Sequence, residues 1–283
     1  MRYTDMIKKA FVGGEWSVGY RRRGEEKYSV IQLDRGWIAD PFLFEHRGEH
    51  YLFAEYVNGK KGEIVYFRFV NDKPVFGKVI LSEPYHLSYP CVFCRGNDIF
   101  MIPESADNHS VDLYRAVSFP DRWKKIGRLA QGIYYDSTYV SSQGKDWLVT
   151  YSPRKGIFQL GLWEIDMDER QARLIAAKEY GENVGRPAGN FFVRGETLIR
   201  PAQDCSKKYG EKLLFYQVTD MKKDCFEERE VQTVSVQDTG LPFQRIHTYN
   251  SDSVYETVDL FRERIKPFRV FGIIMKKVRQ RMG

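Results

Sequence analysis

The strongest constraint on the fold is a sequence repeat of about 48 residues that occurs four times along the chain. Its copies are ADPFLFEHRGEHYLFAE from Ala39, YPCVFCRGNDIFMIPE from Tyr89, YDSTYVSSQGKDWLVTY from Tyr135 and GRPAGNFFVRGETLIRP from Gly185. Each copy contains two strand-like runs around a turn with glycine, and one alignment column holds Pro41, Pro90, Ser137 and Pro187. The spacings in that column are 49, 47 and 50 residues. This period is typical of β-propeller blades.

The segments between the repeats supply further strands for each blade. They are EIVYFRFV from Glu63, DLYRAVSF from Asp112, LGLWEID from Leu160 and KLLFYQVT from Lys212. The first strands of the repeats, such as PFLF and NFFV, are apolar on both faces, as expected for strands packed between neighbouring blades. The sequence therefore predicts an all-β fold.

The residues outside the four repeats, 1–35 and 220–259, amount to about one more blade. HTYNSDSVYETVDL from His247 would supply its inner strands, and EWSVGYRRR from Glu15 would add the outer one. Pairing the two ends of the chain in this way leaves no sheet edge open. We therefore predict a five-bladed β-propeller over residues 1–265 and a separate segment over residues 266–283.

The formal net charge of +6 is concentrated in that last segment. Its six basic residues, with no acidic residue among them, are Lys266, Arg269, Lys276, Lys277, Arg279 and Arg281. The propeller itself is then neutral, which argues against a nucleic-acid partner. One face of the segment would hold Phe268, Phe271, Ile274, Met275 and Val278, which predicts a short basic amphipathic helix. Such a helix either packs on the propeller rim or makes peripheral contact with anionic lipid headgroups.

Several classes of protein are disfavoured by what the sequence lacks. There is no apolar run of about 18 residues and no signal-peptide core, so we expect a cytoplasmic protein, with the inner face of the membrane as the place of any lipid contact. We interpret the four cysteines as reduced thiols. No phosphate-binding loop, G-x-G-x-x-G motif or metal-ligand spacing occurs, so we predict neither a cofactor nor a metal.

The repeats also predict where functional side chains meet. In a hairpin the start of the first strand lies beside the end of the second, so both ends face the same side. This rule places four pairs around one mouth at the propeller axis: Asp40 with Glu55, Tyr89 with Glu104, Asp136 with Tyr151, and Arg186 with Arg200. Further candidate substrate contacts are Tyr135, Asp204, His109 and His247. We expect a single pocket to which several blades contribute.

The carboxylates in this set suit chemistry at a glycosidic bond. That chemistry needs one carboxyl group to protonate the leaving oxygen and another to activate water or attack carbon. Asp40, Asp136 and Glu104 could supply these groups. The alternative is that the two aspartates only cap turns at strand entries and that Glu104 forms an ion pair at the blade rim.

The arginines and histidines leave two possibilities open. Arg186 and Arg200 would either pair with carboxylates of the ring, such as Asp204, or bind a phosphate or carboxylate of the substrate. His109 and His247 are candidate proton carriers or sugar contacts. Neither pair has a spacing that decides between these roles.

At WIADPFLF, IPES and YYDSTYV the sequence resembles the five-bladed propellers of the family 43 glycoside hydrolases. Over roughly residues 30–220 it is more similar still to the N-terminal region of glucosamine inositolphosphorylceramide transferases and to bacterial proteins that carry this region. The hydrolase resemblance implies that Asp40 is the general base and that Asp136 tunes the pKa of the acid and orients the sugar. The general acid of those hydrolases, a fourth-blade Glu, corresponds to Arg186 here. Either Glu104 replaces it as the acid, or the chain does not hydrolyse glycosides in that way.

We therefore expect a carbohydrate-active enzyme, similar to glycoside hydrolases, that uses paired carboxylates with inverting geometry in cell-envelope glycan metabolism. Two alternatives remain. One is a glycosyltransferase or glycoside phosphorylase that uses an anionic sugar donor or a sugar phosphate. The other is a non-catalytic propeller that binds sugars.

Overall fold

Five antiparallel sheets make up the described chain, which in this computed structural model comprises residues 12–154 and 156–265. The chain enters through β1 (Val12–Arg22) and β2 (Ser29–Val30), which belong to the last sheet. Blade I contains β3 (Trp37–His46), β4 (Glu49–Val57), β5 (Gly62–Val70) and β6 (Lys73–Leu81). Blade II contains β7 (Ser88–Arg95), β8 (Asp98–Ser105), β9 (Ser110–Ser118) and β10 (Arg122–Gln131).

The second half of the chain repeats this pattern with a shorter and more broken fourth blade. Blade III contains β11 (Tyr135–Ser142), β12 (Lys145–Arg154), β13 (Ile157–Asp166) and β14 (Gln171–Tyr180). Blade IV contains β15 (Val184–Pro187), β16 (Phe192–Arg194), β17 (Thr197–Asp204), β18 (Lys212–Lys222) and β19 (Cys225–Ser235). Blade V adds β20 (Tyr249–Ser251) and β21 (Tyr255–Ile265) to β1 and β2. The predicted all-β, five-bladed propeller is confirmed.

The inner strands lie around the axis and are buried on both faces. In blade I almost every residue of β3 is buried, whereas most of the outermost strand β6 is exposed. The apolar clusters of the core lie between neighbouring blades. For example, Phe93 of blade II stacks on Tyr139 of blade III with 3.7 Å between ring centroids. This packing explains why the inner segments are apolar throughout rather than alternating.

Blade V joins the two ends of the described chain. Strand β1 pairs with β21 from Val12 opposite Ile265 to Arg22 opposite Tyr255. The strand order from the axis outward is β20, β21, β1, β2. The prediction that the N-terminal strand β1 is outermost is therefore wrong, since β1 is the third strand. The outermost position goes to β2, since Ser29 and Val30 pair with the far edge of β1.

Helical structure in the described part of the chain consists of two short 3-10 segments, Ala106–Asn108 and Val236–Thr239. Among residues 12–154 and 156–265 no helix has the length and apolar character to cross a membrane. The predicted amphipathic helix over residues 266–283 lies outside the described residues. All four cysteines are free thiols, in agreement with the sequence interpretation.

Candidate functional site

Four of the five inner strands carry a β-bulge at the same position. In blade I the pairing steps from Ala39 opposite Glu55 to Phe42 opposite Phe53, so two residues of β3 face one of β4. The left-handed residues of these bulges are Asp40 (φ 49°), Tyr89 (φ 46°), Asp136 (φ 48°) and Gly185 (φ 85°). For residues with a Cβ atom this conformation costs about 1–3 kcal/mol, and it tends to persist at functional positions.

Asp40 is almost fully buried at the start of this ring. Its Oδ1 accepts a hydrogen bond from the Thr248 hydroxyl at 2.9 Å, and its Oδ2 accepts one from the Tyr89 backbone N–H at 3.2 Å. The Nε2 atom of His247 lies 3.6 Å from Oδ1. Burial raises the pKa of Asp40 to about 7, although the charge of His247 opposes the rise. The carboxyl group can therefore gain or lose a proton near neutral pH.

Asp259 is a fully buried carboxylate that holds His247 and Asp40 together. Its Oδ1 accepts the backbone N–H groups of His247 and Thr248, both at 2.9 Å, and its Oδ2 accepts the N–H of Asp40 at 3.3 Å. Oδ2 also contacts Nδ1 of His247. Burial acts to lower the pKa of His247, but the carboxylates of Asp259 and Asp40 outweigh it and raise the pKa. The imidazole therefore tends to carry a positive charge between two carboxylates.

The same three side chains are the described residues that could hold a cation. One ligand atom from each of Asp40, His247 and Asp259 lies within 4.8 Å of the others. In the structure Oδ2 of Asp259 contacts Nδ1 of His247, and Nε2 of His247 lies 3.6 Å from Oδ1 of Asp40.

Asp136 lies on the opposite part of the ring and is engaged by two side chains of blade IV. Arg186 donates to both carboxylate oxygens, through Nε to Oδ2 and through Nη2 to Oδ1 at 3.0 Å. Gln203 donates to Oδ2 at 2.6 Å. The Arg186 guanidinium also lies over the Tyr135 ring, 4.9 Å from its centroid. Bidentate pairing of this kind fixes the orientation of both partners.

Glu104 has the environment expected of a proton donor. Its Oε2 accepts the backbone N–H of Asp136 at 3.0 Å and an N–H of Arg186 at 3.3 Å. Burial, reinforced by the nearby Asp136 carboxylate, raises the pKa of Glu104 well above its usual value, and Arg186 only partly offsets this. Burial and the Asp136 carboxylate therefore favour the protonated form of Glu104.

These carboxylates also connect neighbouring blades. Asp259 of blade V accepts the backbone N–H of Asp40 in blade I, and Asp40 accepts that of Tyr89 in blade II. Glu104 of blade II accepts that of Asp136 in blade III. The side chains are thus held in fixed positions by the bulged backbone, and the turn-capping alternative describes part of their role.

Arg200 does not reach the axial mouth, contrary to the prediction. Arg186 lies opposite Gln203 and Phe192 lies opposite Ile199, so Arg200 is three residues closer to the turn than the partner of Arg186. Arg200 lies in the middle of β17, fully buried, and donates to both oxygens of Glu228 at 2.7 and 2.8 Å. A further hydrogen bond of 2.9 Å goes to the Gly185 carbonyl. Arg200 is thus part of a buried ion pair within blade IV, and its partner is Glu228 rather than Asp204.

Two other predicted site residues, Asp204 and His109, stabilise local turns instead of reaching the ring. Asp204 accepts hydrogen bonds from the backbone and hydroxyl of Ser206 at 2.9 and 2.6 Å, which makes it a turn-capping residue. His109 is exposed and ends the first 3-10 segment with a left-handed backbone (φ 52°). Neither shares a hydrogen bond with the carboxylates of the ring.

The remaining predicted contacts differ in their access to the mouth. Glu55 lies opposite Ala39 and pairs through Oε1 with Nε2 of His86 at 2.9 Å. Tyr89 is fully buried, with its hydroxyl 2.8 Å from the Thr138 hydroxyl and accepting a hydrogen bond of 2.6 Å from the Gly189 N–H. Its side chain therefore packs between blades, and only its backbone belongs to the site.

Two aromatic residues that the sequence did not single out complete the mouth. Trp16 of β1 stacks on His247 with 4.0 Å between ring centroids. Tyr209, in the loop between β17 and β18, lies 4.9 Å from the His247 ring and 5.5 Å from the Arg186 guanidinium carbon. Tyr209 nonetheless remains 42% exposed. The only signal for Tyr209 in the sequence is an aromatic residue within the polar run SKKYGEK.

Most of this propeller is similar in sequence to known proteins. The sequence profile of the family described as "Glucosamine inositolphosphorylceramide transferase 1, N-terminal" matches residues 26–240. The glucosamine inositolphosphorylceramide transferase 1 of Oryza sativa subsp. indica is 31% identical over 206 residues, 68% of this chain and 27% of that protein. The Arabidopsis thaliana protein of the same name is 29% identical over 212 residues, 70% of this chain and 28% of that protein. The chain thus spans about a quarter of the length of these relatives.

Solved structures of glycoside hydrolases share the fold. A thermostable family-43 glycoside hydrolase has a TM-score of 0.60 at 12% identity, covering 80% of this chain and 89% of its own. A family 117 glycoside hydrolase of the marine bacterium Zobellia galactanivorans has a TM-score of 0.55 at 13% identity, covering 89% of this chain and 93% of its own. At such identities the likeness concerns the propeller architecture.

Proposed function

The chain belongs to the family of the N-terminal region of glucosamine inositolphosphorylceramide transferase 1, and on this premise we propose that its axial site performs acid–base chemistry at a glycosidic bond. Glu104 is the acid and Asp40 is the base. Glu104 gives its proton to the oxygen that leaves the sugar. Asp40 takes the proton from the hydroxyl group, of water or of an acceptor sugar, that attacks the sugar carbon.

The observation that carries this proposal is the pairing of two buried carboxyl groups whose surroundings suit opposite roles. Glu104 is buried beside another carboxylate, and both effects raise its pKa and favour its protonated form. Asp40, with a pKa raised to about 7 and a cationic His247 beside it, is ready to ionise. Asp136 acts electrostatically on both groups. A site with one proton donor and one acceptor is the arrangement that inverting glycoside chemistry requires.

His247 and Asp259 support the base. When Asp40 accepts a proton, the net charge of the buried cluster rises by one unit, and the Asp259 carboxylate beside the imidazole offsets part of the positive charge. The hydrogen bonds that Asp259 accepts from the backbone N–H groups of residues 40, 247 and 248 keep the geometry fixed during this change. The positioning of Asp40 therefore costs little reorganisation at the moment of reaction.

An anionic donor is less well supported than an uncharged sugar at this mouth. Arg200 is occupied by Glu228, and Arg186 is already paired with Asp136 and Glu104. Carboxylates outnumber cationic groups around the ring, which disfavours the approach of a phosphate. We therefore propose an uncharged glycosidic substrate over a sugar phosphate.

Transfer and hydrolysis differ only in which hydroxyl group Asp40 deprotonates. The relatives are named as transferases, which favours an acceptor sugar over water. A role in cell-envelope glycan metabolism follows the same reasoning, since transferases build glycans. The basic segment 266–283 would, in this proposal, hold the propeller at an anionic cytoplasmic membrane surface close to such glycans.

A second candidate, a sugar-binding module, is favoured by one specific observation. The bidentate Arg186 pair and the links between blades occupy most carboxylate oxygens of the ring. A purely binding site would use these groups to hold sugar hydroxyls and would leave the glycosidic bond intact.

Turnover assays on matched variants separate the two candidates. The purified protein is incubated with a panel of nitrophenyl glycosides and with oligosaccharides plus acceptor sugars, and the products are followed by absorbance and mass spectrometry. We expect turnover by the wild type, and we expect it to fall by about 10²-fold or more in Asp40→Asn and in Glu104→Gln. Asp98→Asn, at an exposed carboxylate of blade II, is the control and should keep full activity.

The outcomes distinguish the candidates because binding is measured on the same samples. Binding of a glycan without any cleaved or extended product would favour the binding module. Equal turnover by the wild type and Asp40→Asn, with both proteins folded, would contradict the assignment of Asp40 as the base.

A further inference from the structure

Tyr209 is an aromatic side chain of the mouth that is exposed and also contacts the charged ring. The carboxylates of Asp136, Asp40 and Glu104 act electrostatically on its phenol. These three carboxylates come from blades III, I and II. Tyr209 itself contacts blades IV and V, since its ring lies 5.5 Å from the Arg186 guanidinium carbon and 4.9 Å from the His247 ring.

Backbone hydrogen bonds hold the loop that carries Tyr209 at both ends and in the middle. The N–H of Cys205 donates to the Asn183 carbonyl at 2.9 Å, and the N–H of Glu211 donates to the Asp204 carbonyl at 3.1 Å. Next to Tyr209, the carbonyl of Gly210 accepts the N–H of Ile246 at 3.0 Å. The backbone on both sides of the Tyr209 ring is therefore fixed by hydrogen bonds.

Only glycine fits easily at position 210, where the loop is hydrogen-bonded to Ile246. Its backbone is left-handed (φ 67°), and an added Cβ atom would lie 3.0 Å from the Trp16 ring. A larger residue would push Trp16 away from His247, on which it stacks. The position of Tyr209 is thus coupled to the packing that supports His247 and, through it, Asp40.

From this placement we propose that Tyr209 is the platform on which a pyranose ring of the substrate rests at the axial mouth. A sugar ring presents C–H groups on its faces and hydroxyl groups around its rim. The aromatic face of Tyr209 suits the former, and the carboxylates and Arg186 beside it suit the latter. A rigid tyrosine gives a large contact area with little loss of conformational entropy. This inference rests on the proposed function and names the side chain that positions its substrate.

The test compares sugar binding by variants of Tyr209. Saturation-transfer NMR and titrations use glucose, galactose, glucosamine and N-acetylglucosamine, each free and as a β-linked disaccharide. We expect Tyr209→Ala to weaken binding by about tenfold or more and Tyr209→Phe, which keeps the ring, to remain within about threefold of the wild type. Tyr209→Leu keeps apolar bulk without an aromatic face and should resemble the alanine variant.

The control is Phe76→Ala, which removes an aromatic residue of similar exposure, 45%, from the outermost strand of blade I. It should leave binding unchanged. Wild-type affinity in Tyr209→Ala and Tyr209→Leu, with turnover still lost in Asp40→Asn, would overturn the platform and leave the proposed function intact. Absence of binding and of turnover in the wild type would overturn both.

Discussion

Replacing Asp40 by Asn should abolish activity and yet make the protein more stable at neutral and higher pH. Asn suits the left-handed backbone at this position (φ 49°) better than nearly any other residue with a Cβ atom. Its amide oxygen can accept the Tyr89 N–H, and its amide N–H can donate to the Thr248 hydroxyl. The variant therefore keeps the hydrogen bonds of the neutral carboxyl group and loses only its charge.

The expected magnitude follows from the pKa of Asp40. Its ordinary value is 3.8, and burial raises it to about 7 in the folded protein. Because the folded state binds the proton more tightly, the stability that is present at low pH is lost as the pH rises toward about 7. Each pH unit in that window is worth about 1.36 kcal/mol. Between about pH 5 and about pH 8 the wild type should therefore lose about 3 kcal/mol relative to Asp40→Asn.

Urea denaturation of the two proteins at both pH values measures this difference. Glu104 titrates in both proteins, whereas the pKa of His247 should fall in the variant because Asp40 is one of the carboxylates that raise it. Asp98→Asn, at an exposed carboxylate, should follow the wild type at both pH values. If Asp40→Asn is destabilised by a similar amount at both pH values, Asp40 is a structural cap and its negative charge does not destabilise the folded protein.

Three further predictions concern the acid–base pair, the buried arginine and the basic segment. The initial rate should rise with pH through about 7 as Asp40 ionises and should fall at higher pH as Glu104 loses its proton; a rate independent of pH in a series of buffers would contradict these roles. Arg200→Met should lower the free energy of unfolding by about 3–5 kcal/mol because it removes the bidentate partner of the buried Glu228 and leaves only Lys178 and the Tyr180 hydroxyl beside its carboxylate, whereas the double variant Arg200→Met/Glu228→Leu should recover most of the loss, and sugar binding should not change. In urea denaturation, a single variant as stable as the double one would contradict the buried pair. Full-length protein should sediment with anionic vesicles but not neutral ones, and salt or truncation after Lys266 should abolish this. Equal sedimentation of the full-length and truncated proteins would contradict the membrane contact.

The sequence predicted the parts of the molecule that repeat. The column of Pro41, Pro90 and Pro187 located the inner strands, and the five-bladed fold follows from its period. Asp40 and Asp136 occupy equivalent positions in two copies of the repeat, so a single hairpin rule was enough to place both at the axis.

The sequence predictions were wrong or incomplete in the parts of the chain where the repeat is interrupted. In blade IV the inner strand is interrupted between Pro187 and Phe192, and Gln203 rather than Arg200 lies opposite Arg186; the spacing of apolar residues does not reveal such an interruption. Asp259 lies in blade V, which is assembled from both chain ends and has no copy to align with. Tyr209 belongs to a loop, where hydrophobic periodicity carries no information.

The central claim, that Asp40 and Glu104 act on one glycosidic bond, is tested most directly by a crystal structure of the Asp40→Asn variant with an intact glycoside. We predict that the glycosidic oxygen lies within hydrogen-bond distance of Glu104 and that residue 40 faces the opposite side of the sugar carbon. The two side-chain groups should then be about 6.5–9.5 Å apart, as inverting chemistry requires. A glycoside bound away from the axial mouth, or a separation of more than about 15 Å, would contradict the claim.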